Sequence, residues 1–382
     1  MIALETYLES FDEEPGYLNW ASFGPLSPTV RDESAADADQ LSSGRPAGIS
    51  LVDGRGVEAR TILAELLGAD VDELTLQPST SYGLQHAFFG LSGDLLLSPA
   101  EFPALTVTAR RAQDARGRLR VRELDAPGGF VTPDAVGDAL TDDVTALAVS
   151  LVDYRTGFLA DLGALRDVIG DRLLIVDAIQ GFGVVEADYA AADVVCGHGY
   201  KWMRAGRGTG FARFSSRARE RIAPVLSGFI GMDAEVGAAG DGVPAPVAGA
   251  AAYAVGGVDT LAAGRLAAAA REIRDVGVGA IAGAVRDRAR HMMSLADRYG
   301  IPVLTPRGSH AGIVSLVPEA QDAGALAAAL ANHGVIATAR GGVVRVSAHA
   351  GTVADSLQLF GDALADVSSH RVVPSALAIT ES

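Results

Sequence analysis

The sequence predicts an α/β fold in which a mostly parallel sheet carries helices on both faces and a smaller C-terminal α/β domain follows. The runs 173–176 (LLIV) and 193–196 (DVVC) are short and largely apolar, as in strands that are buried on both faces of a sheet. Such runs alternate with helical patterns along the chain, which is typical of parallel sheets. The length of 382 residues suffices for a large core and a second domain.

The individual elements follow from local patterns. Residues 57–67 form an amphipathic helical pattern that ends at Gly68, and 261–299 reads as helical segments with a break near Gly277. Further strands are predicted at 73–76, 95–97, 145–152 and 211–214, a helix at 82–89, C-terminal strands near 302–304, 312–317 and 342–347, and C-terminal helices near 323–333 and 353–366.

Two stretches carry no predicted helix or strand. Residues 31–55 are polar and contain glycine, and 229–251 is rich in Gly, Ala and Pro, which indicates a mobile loop. The predicted organisation is a large cofactor-binding domain at 17–255, a small domain at 256–368 that residues 1–16 join, and a tail at 369–382.

Composition indicates a soluble cytoplasmic protein that binds neither nucleic acid nor membrane. The formal net charge of -16 and the pI near 4.8 disfavour polyanionic partners. A single cysteine leaves no internal disulfide and suits a reducing compartment. The N-terminus is acidic and lacks signal-peptide features, and the apolar stretch 261–270 is too short and too polar to span a bilayer. No metal site is predicted.

Lys201 is the focus of the candidate chemistry because it is the one lysine among the 31 Lys and Arg residues. A high-GC codon bias would convert basic surface positions to arginine and would spare only a lysine that arginine cannot replace. A primary amine can lose its proton and form an imine with a carbonyl compound, whereas a guanidinium stays protonated. The sequence therefore predicts a Schiff-base lysine.

Asp177 is predicted to lie near this amine. It ends the run 173–176, and Lys201 follows the run 193–196 through a glycine-containing turn. The carboxyl ends of parallel strands meet at one edge of a sheet, where ligands bind, so the acid and the amine are expected together. A buried carboxylate needs a cationic partner, and a protonated pyridine nitrogen would fit.

Several spaced motifs resemble those of one known family. The pattern D-A-I-Q-x-x-G begins at Asp177, and an aromatic-Lys-Trp segment and G-x-G-x-G (206–210) follow it. The chain resembles, over about residues 17–364, the class V aminotransferases. These pyridoxal 5′-phosphate (PLP) enzymes include cysteine desulfurases, selenocysteine lyases, kynureninases and epimerase-like proteins. The resemblance implies fold type I with a sheet of the seven-stranded type, PLP as cofactor, an amino acid as substrate and a homodimer.

The resemblance also implies a set of cofactor contacts. It places Lys201 on the cofactor, Asp177 at its ring nitrogen, Gln180 at its phenolic oxygen, Phe102 and Tyr154 at its ring, and Thr80, Ser81, His198 and Tyr200 at its phosphate. Simpler structural roles remain open for four of these positions. Thr80 and Ser81 fit a helix N-cap, Phe102 fits a core position, and His198 fits a structural histidine.

Three further positions are predicted to bind the substrate. An arginine between strand valines is costly unless it meets an anion, and in the family the R-x-S arginine, here Arg345, binds the substrate carboxylate. Asn19 and Ser22 lie in a segment that resembles the family's Y-L-D/N-x-A motif, although an ordinary loop fits as well. Arg340 is a weaker candidate. Gly257 replaces the threonine that contacts the partner's phosphate in relatives, which places that contact in doubt.

The reaction that these residues favour is class V aminotransfer. A carbon–sulfur lyase or a kynureninase-like hydrolase is the first alternative, and a PLP-fold scaffold without turnover is the second. A persulfide-forming desulfurase is disfavoured, because the predicted small domain contains no cysteine for its mobile loop. Cys196 lies on an apolar run, where a buried, inert thiol is expected.

Overall fold

The apolar runs form neighbouring strands of one sheet in the computed structural model, which describes residues 3–234 and 242–371. Its strands are β1 (Leu74–Gln77), β2 (Gly93–Leu97), β3 (Leu119–Glu123), β4 (Val144–Ser150), β5 (Leu173–Asp177), β6 (Val194–His198) and β7 (Gly210–Phe214). The seven strands have the order β1-β7-β6-β5-β4-β2-β3. Strand β7 is antiparallel to both of its neighbours and the other pairs are parallel. The predicted fold class is confirmed.

Helices alternate with these strands. They are α1 (Leu4–Glu9), α2 (Pro28–Ser42), α3 (Pro46–Asp53), α4 (Arg55–Leu67), α5 (Thr80–Gly90), α6 (Pro103–Arg116), α7 (Pro133–Ala139), α8 (Leu162–Ile169), α9 (Ser216–Arg221), α10 (Thr260–Val276), α11 (Val278–Arg298), α12 (Ala323–Asn332) and α13 (Ala354–Arg371). The predicted break between α10 and α11 lies at Gly277, whose φ of 94° suits glycine. The predicted end of α4 is also confirmed, with Gly68 in the left-handed region.

The sheet is covered on both faces because successive side chains of a strand point to opposite sides. On β5, Leu174 and Val176 pack in one apolar cluster with residues of α4 and α10. Leu173 and Ile175 pack in a second cluster with residues of α5 and α6. Burial on both faces explains why the strand sequence is continuously apolar.

A second, antiparallel sheet lies in the C-terminal part of the chain. It contains β8 (Ile313–Leu316), β9 (Thr338–Arg340) and β10 (Val343–Ser347) in the order β8-β10-β9, and α11, α12 and α13 share its apolar cluster. The N-terminal segment joins it through bridges between Tyr17 and Ile336 and between Asn19 and Ser347. The predicted domain boundaries at 17–255 and 256–368 stay a prediction.

Some sequence-based assignments are wrong. Residues 31–55 are largely helical, and the signals were present: Ser27 caps α2 by accepting from the Val30 amide, and proline begins both α2 and α3. β9 was not predicted, and the strand expected near 302–304 is reduced to one bridge between Val303 and Leu316. Residues 235–241 of the predicted loop and most of the tail, 372–382, lie outside the described residues. Within the described ranges, no helix is long and apolar enough to cross a membrane.

Candidate active site

The site forms where the carboxyl ends of the parallel strands β5 and β6 meet. Asp177 ends β5, His198 ends the adjacent β6, and Lys201 follows His198 on a short turn. All three side chains are buried. The sequence predicted this juxtaposition of acid and amine, and the register of β5 and β6 produces it.

Burial sets the electrostatics of the lysine and the aspartate. It lowers the pKa of Lys201 to about 8, with opposing influence from Asp177 and further lowering by Arg345 and Arg207. It raises the pKa of Asp177, whose Oδ1 accepts the Ile179 amide at 3.0 Å. A carboxylate in this position gains from a cation beside it, which is what a protonated ring nitrogen supplies.

The turn that carries Lys201 is held from several sides. The Gly24 amide donates to the Tyr200 carbonyl at 2.9 Å, and His349 Nε2 lies 2.8 Å from the Trp202 carbonyl. Gly24 leaves no room for a side chain, since an added Cβ would lie 1.8 Å from the Lys201 carbonyl oxygen. These contacts fix the backbone on both sides of the lysine.

Arg204 anchors the end of the same turn. Its φ of 61° is unusual for a residue other than glycine, and its guanidinium lies 3.8 Å above the Phe11 ring while it donates to the Ser10 carbonyl at 2.7 Å. The N-terminal segment therefore holds the lysine turn. Sequence reasoning missed Arg204 because backbone conformation leaves no pattern in one sequence.

Aromatic rings surround the amine. The Lys201 Nζ lies 5.9 Å from the centroid of the Phe102 ring and 5.5 Å from that of Tyr200. Phe102 is 40% exposed and meets Tyr154 edge-on at 5.0 Å. Because Phe102 is exposed beside the lysine, its interpretation as a core residue is wrong.

A buried carboxyl group fixes the position of Phe102. Glu101 accepts the Ser150 amide at 3.0 Å and the Ser150 hydroxyl at 2.5 Å, which ties the start of α6 to the end of β4. Burial raises the pKa of Glu101 to about 7. Sequence reasoning missed Glu101, although a glutamate directly before the predicted stacking ring was visible.

Gln180 contacts protein groups with both ends of its amide. Its Nε2 donates to the Ala21 carbonyl at 3.0 Å, and its Oε1 accepts Trp202 Nε1 at 2.9 Å. The Nε2 group has a second N–H, so one donor is left for a ligand. The predicted contact of Gln180 with the phenolic oxygen remains compatible with this arrangement.

The start of α5 offers donors without acceptors. The N-cap residue is Ser79, no side chain caps the helix, and the buried Thr80 hydroxyl has no partner among the described residues. The N-cap alternative for Thr80 and Ser81 is therefore wrong. His198 Nε2 is also buried without a partner. Orphaned donors at a helix N-terminus fit an anion such as the PLP phosphate.

A second group of unsatisfied donors fits a carboxylate. Arg345 on β10 donates to the Tyr154 carbonyl at 2.7 Å and to the Ser22 hydroxyl at 2.8 Å, while its buried Nε has no partner in the described part of the chain. Asn19 Oδ1 accepts the Ser22 hydroxyl at 2.7 Å and the Thr338 hydroxyl at 3.0 Å. The structure thus brings Asn19, Ser22 and Arg345 together, and it adds Thr338, which sequence reasoning missed.

Two weaker candidates lie outside this cluster. Arg340 on β9 is exposed. Gly257 is exposed as well, and an added Cβ there would meet nothing within 4 Å.

Comparisons with known proteins agree with this architecture. The model of the family "Aminotransferase class-V" matches residues 57–356. The kynureninase of Deinococcus radiodurans is 32% identical over 262 residues, which cover 64% of this chain and 61% of the relative. The cysteine desulfurase IscS of Ectopseudomonas mendocina is 31% identical over 191 residues, 46% of each chain. The chain thus spans about three fifths and about half of the lengths of these relatives.

Two solved structures share the fold over nearly their whole length. The apo cysteine desulfurase of Thermococcus onnurineus NA1 has a TM-score of 0.85 at 18% identity and covers 97% of this chain and 99% of its own. A C-DES variant with glycine covalently linked to its PLP cofactor has a TM-score of 0.83 at 16% identity, with coverages of 93% and 96%. Since the family model matches well over half of the sequence, this chain belongs to the class V aminotransferase family.

Proposed function

We propose that this chain is a PLP-dependent enzyme that acts on an amino acid and cleaves its side chain at the β-carbon, without using an enzyme thiol. The observation that carries the proposal is the buried Lys201 at the strand ends, whose pKa both Asp177 and Arg345 influence. This arrangement suits an amine that exchanges protons with a substrate whose carboxylate binds the arginine. Similarity to a kynureninase and to cysteine desulfurases favours side-chain cleavage over the aminotransfer predicted from the sequence.

Pyridoxal 5′-phosphate is the cofactor of the class V family, and the donors and the carboxylate described above fit its groups. When bound, PLP withdraws electrons from the α-carbon of an attached amino acid. Lys201 Nζ would take and return the α-proton of the substrate, and Arg345 would orient the substrate through its carboxylate. Asp177 would hold the ring nitrogen by favouring a positive charge there. Phe102 and Tyr154 would border the cofactor ring.

An enzyme thiol is left out of the proposal because the single cysteine is poorly placed for it. Cys196 is fully buried on β6, where its Sγ faces α5 at Gly83. Burial raises the pKa of the Cys196 thiol well above its ordinary value, so the thiolate is scarce. A Cys196→Ser variant is therefore expected to keep wild-type turnover and serves as a control.

The reaction class is tested by incubating the PLP-loaded enzyme with a panel of amino acids in the absence of keto acids. Side-chain cleavage releases alanine, or pyruvate with ammonia, over many turnovers. Stoichiometric keto acid that stops after one turnover would establish aminotransfer instead and overturn the proposed cleavage. No reaction with any amino acid, despite PLP bound to Lys201, would support the scaffold alternative.

The pH dependence of cofactor attachment tests the environment of Lys201. The amine must be unprotonated to attack a carbonyl carbon, and burial lowers the Lys201 pKa from 10.5 to about 8. The rate of PLP attachment to the apo-protein should therefore rise with pH and level off above about pH 8, as an absorbance time course at each pH would record. A rate that still rises about tenfold per pH unit near pH 10 would indicate an ordinary, solvated lysine.

Replacement of Arg345 tests the carboxylate contact. Arg345→Lys keeps a positive charge but loses the fork that binds two oxygens, so KM should rise about 30-fold or more while kcat falls less. Steady-state kinetics with the substrate found in the panel measure both constants. The matched control is Arg340→Lys on the neighbouring strand, which is expected to change KM by less than about twofold. A large rise in KM for Arg340→Lys with little change for Arg345→Lys would show that Arg340 binds the substrate carboxylate instead.

We further propose that two copies of the chain form a homodimer, which the family resemblance implies. An exposed apolar face beside the sheet edge at β1 supports it, formed by Val57, Phe229, Ile230, Val255 and Val258, each at least 45% exposed. Such a face favours a second copy as its cover. Light scattering should give twice the chain mass, and Ile230→Asp should shift the mass toward the monomer. A monomeric, fully active wild type would contradict the proposal.

A further inference from the structure

The donors around the start of α5 define a place for a phosphate but supply little charge. Thr80 and His198 are at least nine-tenths buried, and each has a polar atom without a partner in the described residues. The amides of the first helical turn add partial positive charge. All of these groups are neutral donors unless the histidine is protonated.

The two orphaned groups lie on adjacent elements. His198 pairs in register with Gly210 on β7. Gly210 in turn touches the residue before α5, since a Cβ added there would lie 2.5 Å from the Ser79 Cα. The absence of a side chain at Gly210 therefore lets the strand pair β6–β7 approach the N-terminus of α5, and this brings the elements that carry His198 and Thr80 together.

His198 does not supply the missing charge. Burial, together with the nearby cations Lys201 and Arg207, lowers the pKa of His198 to about 4. In the protein without cofactor the ring is therefore neutral near pH 7, so it brings no fixed positive charge to the site. A phosphate monoester carries close to two negative charges at that pH, so a full cation nearby would stabilise it considerably.

Arg207 is a cation beside this space. Its guanidinium lies 4.8 Å from the centroid of the Tyr200 ring, and that ring lies 4.5 Å from the ring of His198. Within the described part of the chain, no carboxylate or carbonyl accepts a hydrogen bond from its guanidinium. Arg265 on α10 is a second arginine beside this loop but is committed elsewhere, because it donates to the Ala205 carbonyl at 3.2 Å and to the Arg207 carbonyl at 2.9 Å.

We propose that Arg207 binds the phosphate group of PLP and is its charged anchor, with Thr80 and His198 as neutral donors. This inference rests on the proposed use of PLP. It also accounts for how this chain holds the phosphate when Gly257 has no side chain to offer to a partner subunit.

The affinities of the apo-protein for PLP and for pyridoxal, which lacks the phosphate, distinguish a contact of Arg207 with the phosphate from other effects of the substitution. The apo-protein is titrated with each compound while absorbance is recorded, and no turnover is needed. Arg207→Gln should weaken PLP binding about 10- to 100-fold, as expected for loss of one charge-assisted hydrogen bond. At pH 9, above the Lys201 pKa of about 8, pyridoxal binding should change by less than about twofold. Arg207→Lys should recover part of the loss of PLP binding because it restores the charge.

Arg265→Ala is the matched control, since it removes two hydrogen bonds to the backbone of the same loop but keeps the charged side chain of Arg207. It should affect PLP and pyridoxal equally. Equal losses for both compounds in Arg207→Gln, or no loss for either, would overturn the assignment of Arg207 and leave the proposed function intact. A wild-type protein that binds PLP no better than pyridoxal would overturn the phosphate site itself. A wild type that binds neither compound would overturn the proposed function as well.

Discussion

Replacing Lys201 with arginine is expected to reduce turnover by at least about 10³-fold, because a guanidinium neither forms an imine nor exchanges a proton near neutral pH. The substitution keeps a positive charge near Asp177, so loss of the electrostatic interaction between the two residues would not explain the result. Lys201→Ala should give the same loss and should also remove the visible absorbance of the bound cofactor. Initial rates and absorbance spectra of the purified variants measure both effects.

A second lysine provides the control for this experiment. Arg290 is on the surface, where its guanidinium lies 3.6 Å from Asp287. The double variant Lys201→Arg with Arg290→Lys restores one amine to the chain, outside the site. It should stay as inactive as Lys201→Arg, whereas recovered turnover would show that the position of the amine is unimportant and would contradict the account.

Replacing Asp177 with asparagine is expected to reduce turnover about 10²- to 10³-fold, because a neutral amide no longer favours a proton on the ring nitrogen of the cofactor. The side chain keeps its shape, and its oxygen can still accept the Ile179 amide. Burial raises the pKa of Asp177, so its charged form costs stability above the ordinary aspartate pKa. At pH 7 the apo form of Asp177→Asn should therefore be at least as stable as the wild type.

Asp177→Asn is expected to lower turnover without lowering stability, so measuring both distinguishes a role toward the cofactor from a structural role. Thermal unfolding of the apo-protein and turnover of the loaded enzyme are measured on the same preparation. A variant that loses activity and stability together would indicate a structural role for Asp177. A variant that keeps wild-type turnover would show that the carboxylate does not serve the cofactor.

The sequence predicted those parts of the site that depend on strand order. Asp177 and Lys201 each follow an apolar run that predicts a buried strand. Because the carboxyl ends of parallel strands lie at the same edge of a sheet, the sequence alone predicts that these two residues lie close together. Arg345 was predictable because a charge between strand valines is costly without an anion. The roles of these residues stay predictions until the variants are measured.

Other parts depend on contacts that a single sequence does not encode locally. The left-handed Arg204 is stabilised by Phe11 and Ser10, which are distant in the chain, and the grouping of Thr338 with Asn19 follows from pairing between the N-terminal segment and the second sheet. α2 was missed because its polar sequence outweighs its capping and proline signals. The short α3 was missed because Ile49 and Leu51 are exposed, so its apolar residues do not mark a buried face. Tertiary packing decided these features.

The central claim is that Lys201 carries the cofactor, and reduction with borohydride tests it most directly. The PLP-loaded protein is reduced, digested and examined by peptide mass spectrometry. The account predicts one phosphopyridoxyl label, on the peptide that contains Lys201, and none in Lys201→Arg. Loaded protein that yields no labelled Lys201 peptide, or a Lys201→Ala variant that keeps the visible absorbance of the wild type, would contradict it.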